Sequence, residues 1–204
     1  MLTSLALVLG GAPLITSAVM ALLSFGVLTY LFRRQWTPTG RYGAANFITA
    51  VRFLMIGALL WWPSILPPYQ AALATTVLVL DGIDGWLARR SGDGSSYGEF
   101  LDKEVDAFLA LGLCLALYQS QRFGIWILIP GALRYAFVLF VHCARPPAPK
   151  ERATRWSRAT GAFVLGTLIV CLVPIGAAGT WLAALATTAV LGSFSCSLWH
   201  LYHG

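Results

Sequence analysis

Charge is what this chain has little of. Only 11% of its 204 residues are charged and only eight are acidic, against 58% hydrophobic residues and a mean hydropathy of +0.73. Soluble domains carry about a quarter charged residues, so a water-facing globule is excluded and several membrane spans are expected. Cysteine chemistry is excluded too. Cys114, Cys143, Cys171 and Cys196 are scattered through apolar runs without CxxC or metal-ligand spacing, and read as small hydrophobes. No Rossmann glycine motif, P-loop, internal repeat or soluble second domain is present. The net charge of +6 and pI of about 9.5 would suit nucleic acid in another setting. In so apolar a chain the basic residues instead hold cytoplasmic loops and attract anionic lipid heads, and no nucleic-acid partner is expected.

Scarcity makes the position of the acids informative. Seven of the eight lie in the segment 81–106, DGIDGWLARRSGDGSSYGEFLDKEVD, and only Glu151 lies outside it. An unpaired charge in a membrane helix costs about 2.5 to 3.5 kcal/mol on insertion scales, so the concentration needs a reason. Helical spacing puts Asp81, Asp84, Gly85 and Ala88 on one stripe, and Gly98, Asp102 and Asp106 on another. Arg90 to Tyr97, rich in Gly and Ser, reads as a turn that folds the two helices into a hairpin. Four carboxylates then converge, and their repulsion in a partly dry site amounts to several kcal/mol per pair unless cations bind. Oxygen ligands without a nearby His or Cys favour Mg²⁺ or Mn²⁺, as a pair of divalent cations. Gly85, Ala88 and Gly98 leave space beside the acids for something flat or bulky.

Asp81-x-x-Asp84-Gly85-x-x-Ala88-Arg89, eight further residues, then Gly98-x-x-x-Asp102-x-x-x-Asp106 resembles the full signature of the CDP-alcohol phosphatidyltransferases. A second element, Asn46-x-x-Thr49-x-x-Arg52, precedes it on one face of a helix start. The resemblance runs from about Asn46 to the end and leaves 1–45 uncovered. It implies that all four aspartates coordinate the metals and that Asp106 also removes the proton from an acceptor hydroxyl. It further implies that Gly85, Ala88 and Gly98 make room for cytidine while Arg89 counters phosphate charge. Asn46, Thr49 and Arg52 are assigned to the nucleotide or diphosphate. The implied reaction passes the phosphatidyl group of CDP-diacylglycerol to a small alcohol acceptor and releases CMP, and the family's habit is a homodimer.

The expected fold is all-α: a polytopic helical bundle in membrane lipid, with six family-type transmembrane helices plus one extra N-terminal helix. Residues 1–45 form that helix and a basic cytoplasmic linker, and 46–204 form the transferase domain. Spans are expected at 14–32, 46–62, from 69 to the acid cluster, 102–118, 123–143, 159–174 and 181–202. Of fourteen basic residues only Arg122 falls in an outer loop, which puts the active face in the cytoplasm of a multi-pass protein, as in a bacterial inner membrane. Arg134 lies deep in a span and requires a partner, and Arg145 opens a basic loop beside the same mouth. Both are candidates for binding an anionic acceptor, glycerol 3-phosphate first and inositol phosphate second. Alternatives are a choline, serine or glycerophosphodiester acceptor, and a CDP-choline or CDP-ethanolamine donor with diacylglycerol accepting. A prenyltransferase would separate its aspartate motifs further in a longer chain, and a divalent-cation transporter would place them nearer the midplane.

Overall fold

Among the described residues the apolar runs are helical. The structure, a computed structural model, describes residues 14–32, 36, 43–62, 65–91, 95–144 and 155–203. Among these there are seven α-helices and no strand: α1 (Leu14–Leu31), α2 (Ala44–Trp61), α3 (Pro67–Ser91), α4 (Ser96–Gln119), α5 (Ile129–Ala144), α6 (Arg155–Leu172) and α7 (Ala177–His203). A 3₁₀ turn, Ile125–Leu128, leads into α5.

Local chemistry sets several of these boundaries. Proline stands at the first position of α3, where no helical partner for its nitrogen is needed, and the Leu66 carbonyl accepts from Tyr69 N–H at 2.9 Å. Ser95 caps α4, its hydroxyl accepting from Gly98 N–H at 2.9 Å. Past the other end of α4, Gln121 adopts φ 59°, and Gly176 at φ 64° supplies the left-handed residue before α7. The last carbonyl of α6, on Leu172, accepts from the Arg122 guanidinium at 2.7 Å.

The chain divides into two compact units, Met1–Gly112 and Leu113–Gly204, with the boundary inside α4. In the first, α2 packs on α1 and α3. Phe53 at its centre is fully buried, with Phe25 stacked on it at 4.1 Å and Phe108 tilted against it at 4.9 Å. Gly112 lets α4 approach α2 closely, since a Cβ there would meet Ile56 at 3.4 Å. In the second unit α7 packs on α6 and α5, with Phe137 edge-on to Phe194.

The interior is mainly apolar, and so is much of the surface. Every helix exposes large apolar side chains, including Leu23, Leu54, Val79, Phe100, Leu139, Phe163 and Leu185, while Asn46, Thr49, Arg52, Gln70, Asp84, Thr167 and Thr187 are buried. Among the described residues two stretches, Ala44–Trp61 and Ala177–Trp199, are long and apolar enough to cross a membrane, and those at Leu22–Leu31, Ile125–Phe140 and Ala159–Leu172 are apolar but shorter.

Candidate active site

The acid cluster is assembled within the first unit. Asp81 and Asp84 lie near the end of α3 and Asp102 and Asp106 near the start of α4, so the short connection brings two pairs of carboxylates, each pair on one helical face, together. Between them lies the side chain of Arg52 from α2. Its Nη1 donates to Asp84 Oδ2 and Asp102 Oδ1, both at 2.8 Å, and its Nη2 reaches Asp81 Oδ1 at 2.8 Å and Asp106 Oδ1 at 2.5 Å. Each terminal nitrogen therefore joins one carboxylate of α3 to one of α4.

The four acids differ in depth. Asp81, Asp102 and Asp106 have side chains 33%, 42% and 39% exposed, whereas Asp84 is 5% and Arg52 0% exposed. Thr49, one turn before Arg52, adds its hydroxyl 3.1 Å from Asp84 Oδ2, so Asp84 is held from within the core. The three outer aspartates remain reachable, and one oxygen from each can be chosen so that all lie within 4.8 Å of one another. Four carboxylates and one guanidinium leave a formal charge of −3 when all are ionised. Hard anionic oxygens, close together and partly exposed, fit a divalent cation such as Mg²⁺ or Mn²⁺.

A second layer orders the mouth of the hairpin. The Trp36 carbonyl accepts from Asn46 Nδ2 at 2.9 Å and from the Ser95 hydroxyl at 2.7 Å, while Trp36 Nε1 donates to the Thr29 carbonyl at 3.0 Å. Buried Tyr97 donates to the Thr29 hydroxyl at 3.1 Å. Thus α1 is tied to the starts of both α2 and α4. Gly98 faces this layer, because a Cβ would stand 3.0 Å from Asn46 Oδ1 and 3.3 Å from Ser95 Oγ. Sequence reasoning missed Trp36, Ser95, Tyr97 and Thr29. For Trp36 the acceptor is a backbone carbonyl, which no residue type signals, but Ser three residues before Gly98 is an N-cap pattern that could have been found.

The remaining sequence candidates are placed as follows. Gly85 lies on α3, half-buried, one residue beyond Asp84. Ala88 and Arg89 belong to the same helix, but their side chains lie outside the described residues, as does Arg145 altogether. Arg134 is half-buried on α5 in the second unit.

A helical hairpin presenting clustered aspartates to one side defines a candidate divalent-metal site of the kind that handles phosphoryl groups. Residues 42–192 match the family described as CDP-alcohol phosphatidyltransferase, and the chain belongs to that family of integral membrane enzymes of phospholipid synthesis. The CDP-diacylglycerol–glycerol-3-phosphate 3-phosphatidyltransferase of Pseudomonas fluorescens is 28% identical over 141 residues, 63% of this chain and 72% of that protein. No solved structure matches the chain.

Proposed function

We propose that this protein is a multi-pass membrane phosphatidyltransferase with a cytoplasmic active site. It uses CDP-diacylglycerol as donor and glycerol 3-phosphate as acceptor, and releases CMP. The observation that carries the reaction class is the gathering of Asp81, Asp84, Asp102 and Asp106 at the α3–α4 hairpin, with three of them partly exposed. The name of the Pseudomonas relative supports the choice of donor and acceptor. Exposed apolar side chains on every helix, with Arg122 the sole basic residue in an outer loop, support the membrane placement.

In this mechanism the four aspartates would hold two divalent cations. When bound, the metals neutralise the donor's diphosphate and stabilise the charge that develops on the leaving group. Asp106 accepts the proton of the acceptor hydroxyl, whose oxygen attacks the β-phosphorus; the bond from that phosphorus to the bridging oxygen breaks, and the bridging oxygen departs with CMP. Gly85, Ala88, Arg89 and Gly98 form the cytidine and phosphate side of the site. Asn46 and Thr49 support the nucleotide or diphosphate from α2, Arg52 from the same face does so only through the aspartates it bridges, and Arg134 and Arg145 bind the acceptor's phosphate. Residues 1–45 contribute an additional helix ahead of the transferase domain, and the active form is a homodimer.

A panel of acceptors with labelled CDP-diacylglycerol, read by lipid mass spectrometry, tests the assignment. Phosphatidylglycerol phosphate should be the dominant product. Preference for an uncharged alcohol, or for diacylglycerol with CDP-choline, contradicts it.

A further inference from the structure

Arg52 belongs to the motif face assigned to the nucleotide, yet both of its terminal nitrogens are already engaged. A guanidinium has four terminal N–H groups, and the two terminal nitrogens of Arg52 meet four carboxylates, one of each pair from α3 and one from α4. Its Nε is buried without a hydrogen-bond partner among the described residues, and the side chain is fully buried. Nothing on it remains to touch a diphosphate from outside. Its fork does span the width that separates the two helices' carboxylates.

We propose that Arg52 is a positioning residue that stands in for the divalent cations. It holds the four aspartates together, and divalent cations would compete with it for their oxygens. The proposal rests on the metal-site reading above and makes Arg52 act on the substrate only through the aspartates. Two consequences follow from charge alone. Without Arg52 the metal-free cluster has no described cation inside it, so four like charges destabilise it and the protein comes to depend on divalent cation. Without Arg52 the incoming metal also loses a competing positive charge, so it binds more tightly. A residue that merely packed the helices would do the reverse, since its loss scatters the ligands and weakens metal binding.

The test uses full-length protein in detergent, with Mn²⁺ binding read by electron paramagnetic resonance and melting followed in EDTA and in Mg²⁺. In Arg52→Met the Mn²⁺ Kd should fall about tenfold, and the gap between melting temperatures with and without metal should widen relative to wild type. Recovery of this variant only in Mg²⁺ supports the proposal equally. An unchanged or higher Kd, or equal loss of melting temperature in both buffers, overturns it. If Arg52→Met cannot be purified in either buffer, Arg52→Lys decides: three donors cannot serve four carboxylates, so a wider gap supports the proposal and a wild-type gap overturns it. Wild-type protein that binds no Mn²⁺ refutes the metal site itself. Wild type that binds Mn²⁺ and releases CMP, beside an Arg52→Met with unaltered affinity, refutes only the role given to Arg52.

Discussion

Asp106→Asn separates chemistry from folding more cleanly than any other single change. The substitution is isosteric, and the amide oxygen can still accept from Arg52 Nη2, which lies 2.5 Å from the carboxylate. One like charge leaves a cluster of four, so the metal-free protein should melt at the wild-type temperature or slightly above it. Catalysis loses both one member of the Asp81–Asp102–Asp106 oxygen set, clustered within 4.8 Å, and the group proposed to take the hydroxyl proton. General-base catalysis alone contributes about 10²- to 10⁴-fold, so with a metal ligand also gone the rate should fall by at least about 10³-fold, roughly 4 kcal/mol of barrier. The assay is CMP release from CDP-diacylglycerol at saturating Mg²⁺ by chromatography and mass spectrometry, beside melting in EDTA. Turnover above about a tenth of wild type, barely more than 1 kcal/mol of barrier, would refute the assignment of Asp106.

Other outcomes follow from the same geometry. Gly98→Ala forces Asn46 Oδ1 away from a Cβ only 3.0 Å distant and disturbs the Asn46–Trp36 bond, so stability should drop by about 1 to 2 kcal/mol and the KM for CDP-diacylglycerol should rise. An unmoved KM would place the cytidine elsewhere. Ser95→Ala removes the cap on Gly98 N–H and the bond to the Trp36 carbonyl, costing about 1 kcal/mol or 2 to 4 °C of melting temperature, a loss that calorimetry would detect. With donor saturating, Arg134→Ala and Arg145→Ala should each raise the KM for glycerol 3-phosphate about tenfold, the value of one charge-assisted contact. If KM moves for neither variant, the acceptor's phosphate is bound by other groups.

Much of the all-α fold was legible because its helices are written as apolar runs between turns, although only two of the expected spans are long and apolar enough to cross a membrane among the described residues. The expected spans 14–32, 46–62 and 181–202 correspond to helices at Leu14–Leu31, Ala44–Trp61 and Ala177–His203. Several differences lie at charged ends, where counting apolar residues stops before the helix does, while α5 begins at Ile129, behind the 3₁₀ turn Ile125–Leu128, and not at the expected 123. The helix α3 continues to Ser91, α4 begins at Ser96 because Ser95 caps it, and α6 begins at Arg155, four residues before the expected Ala159. The hairpin and the convergence of its aspartates followed from three- and four-residue spacing alone. Depth did not, because periodicity gives a direction around a helix axis and not a distance from solvent. Asp81 and Asp84 share a stripe, yet one is a third exposed and the other sealed beneath Thr49 and Arg52. The position of Arg52 among all four acids was equally hidden, since its partners lie 29 to 54 residues away on two other helices.

The most direct measurement reconstitutes the protein in liposomes containing CDP-diacylglycerol, adds glycerol 3-phosphate, and follows CMP release together with the lipid product, in Mg²⁺ and in EDTA. Stoichiometric CMP and phosphatidylglycerol phosphate are expected in Mg²⁺, with neither in EDTA and activity restored on returning the metal. Divalent-cation flux without CMP release, or CMP release that persists unchanged in EDTA, would contradict metal-dependent phosphatidyl transfer at the aspartate hairpin.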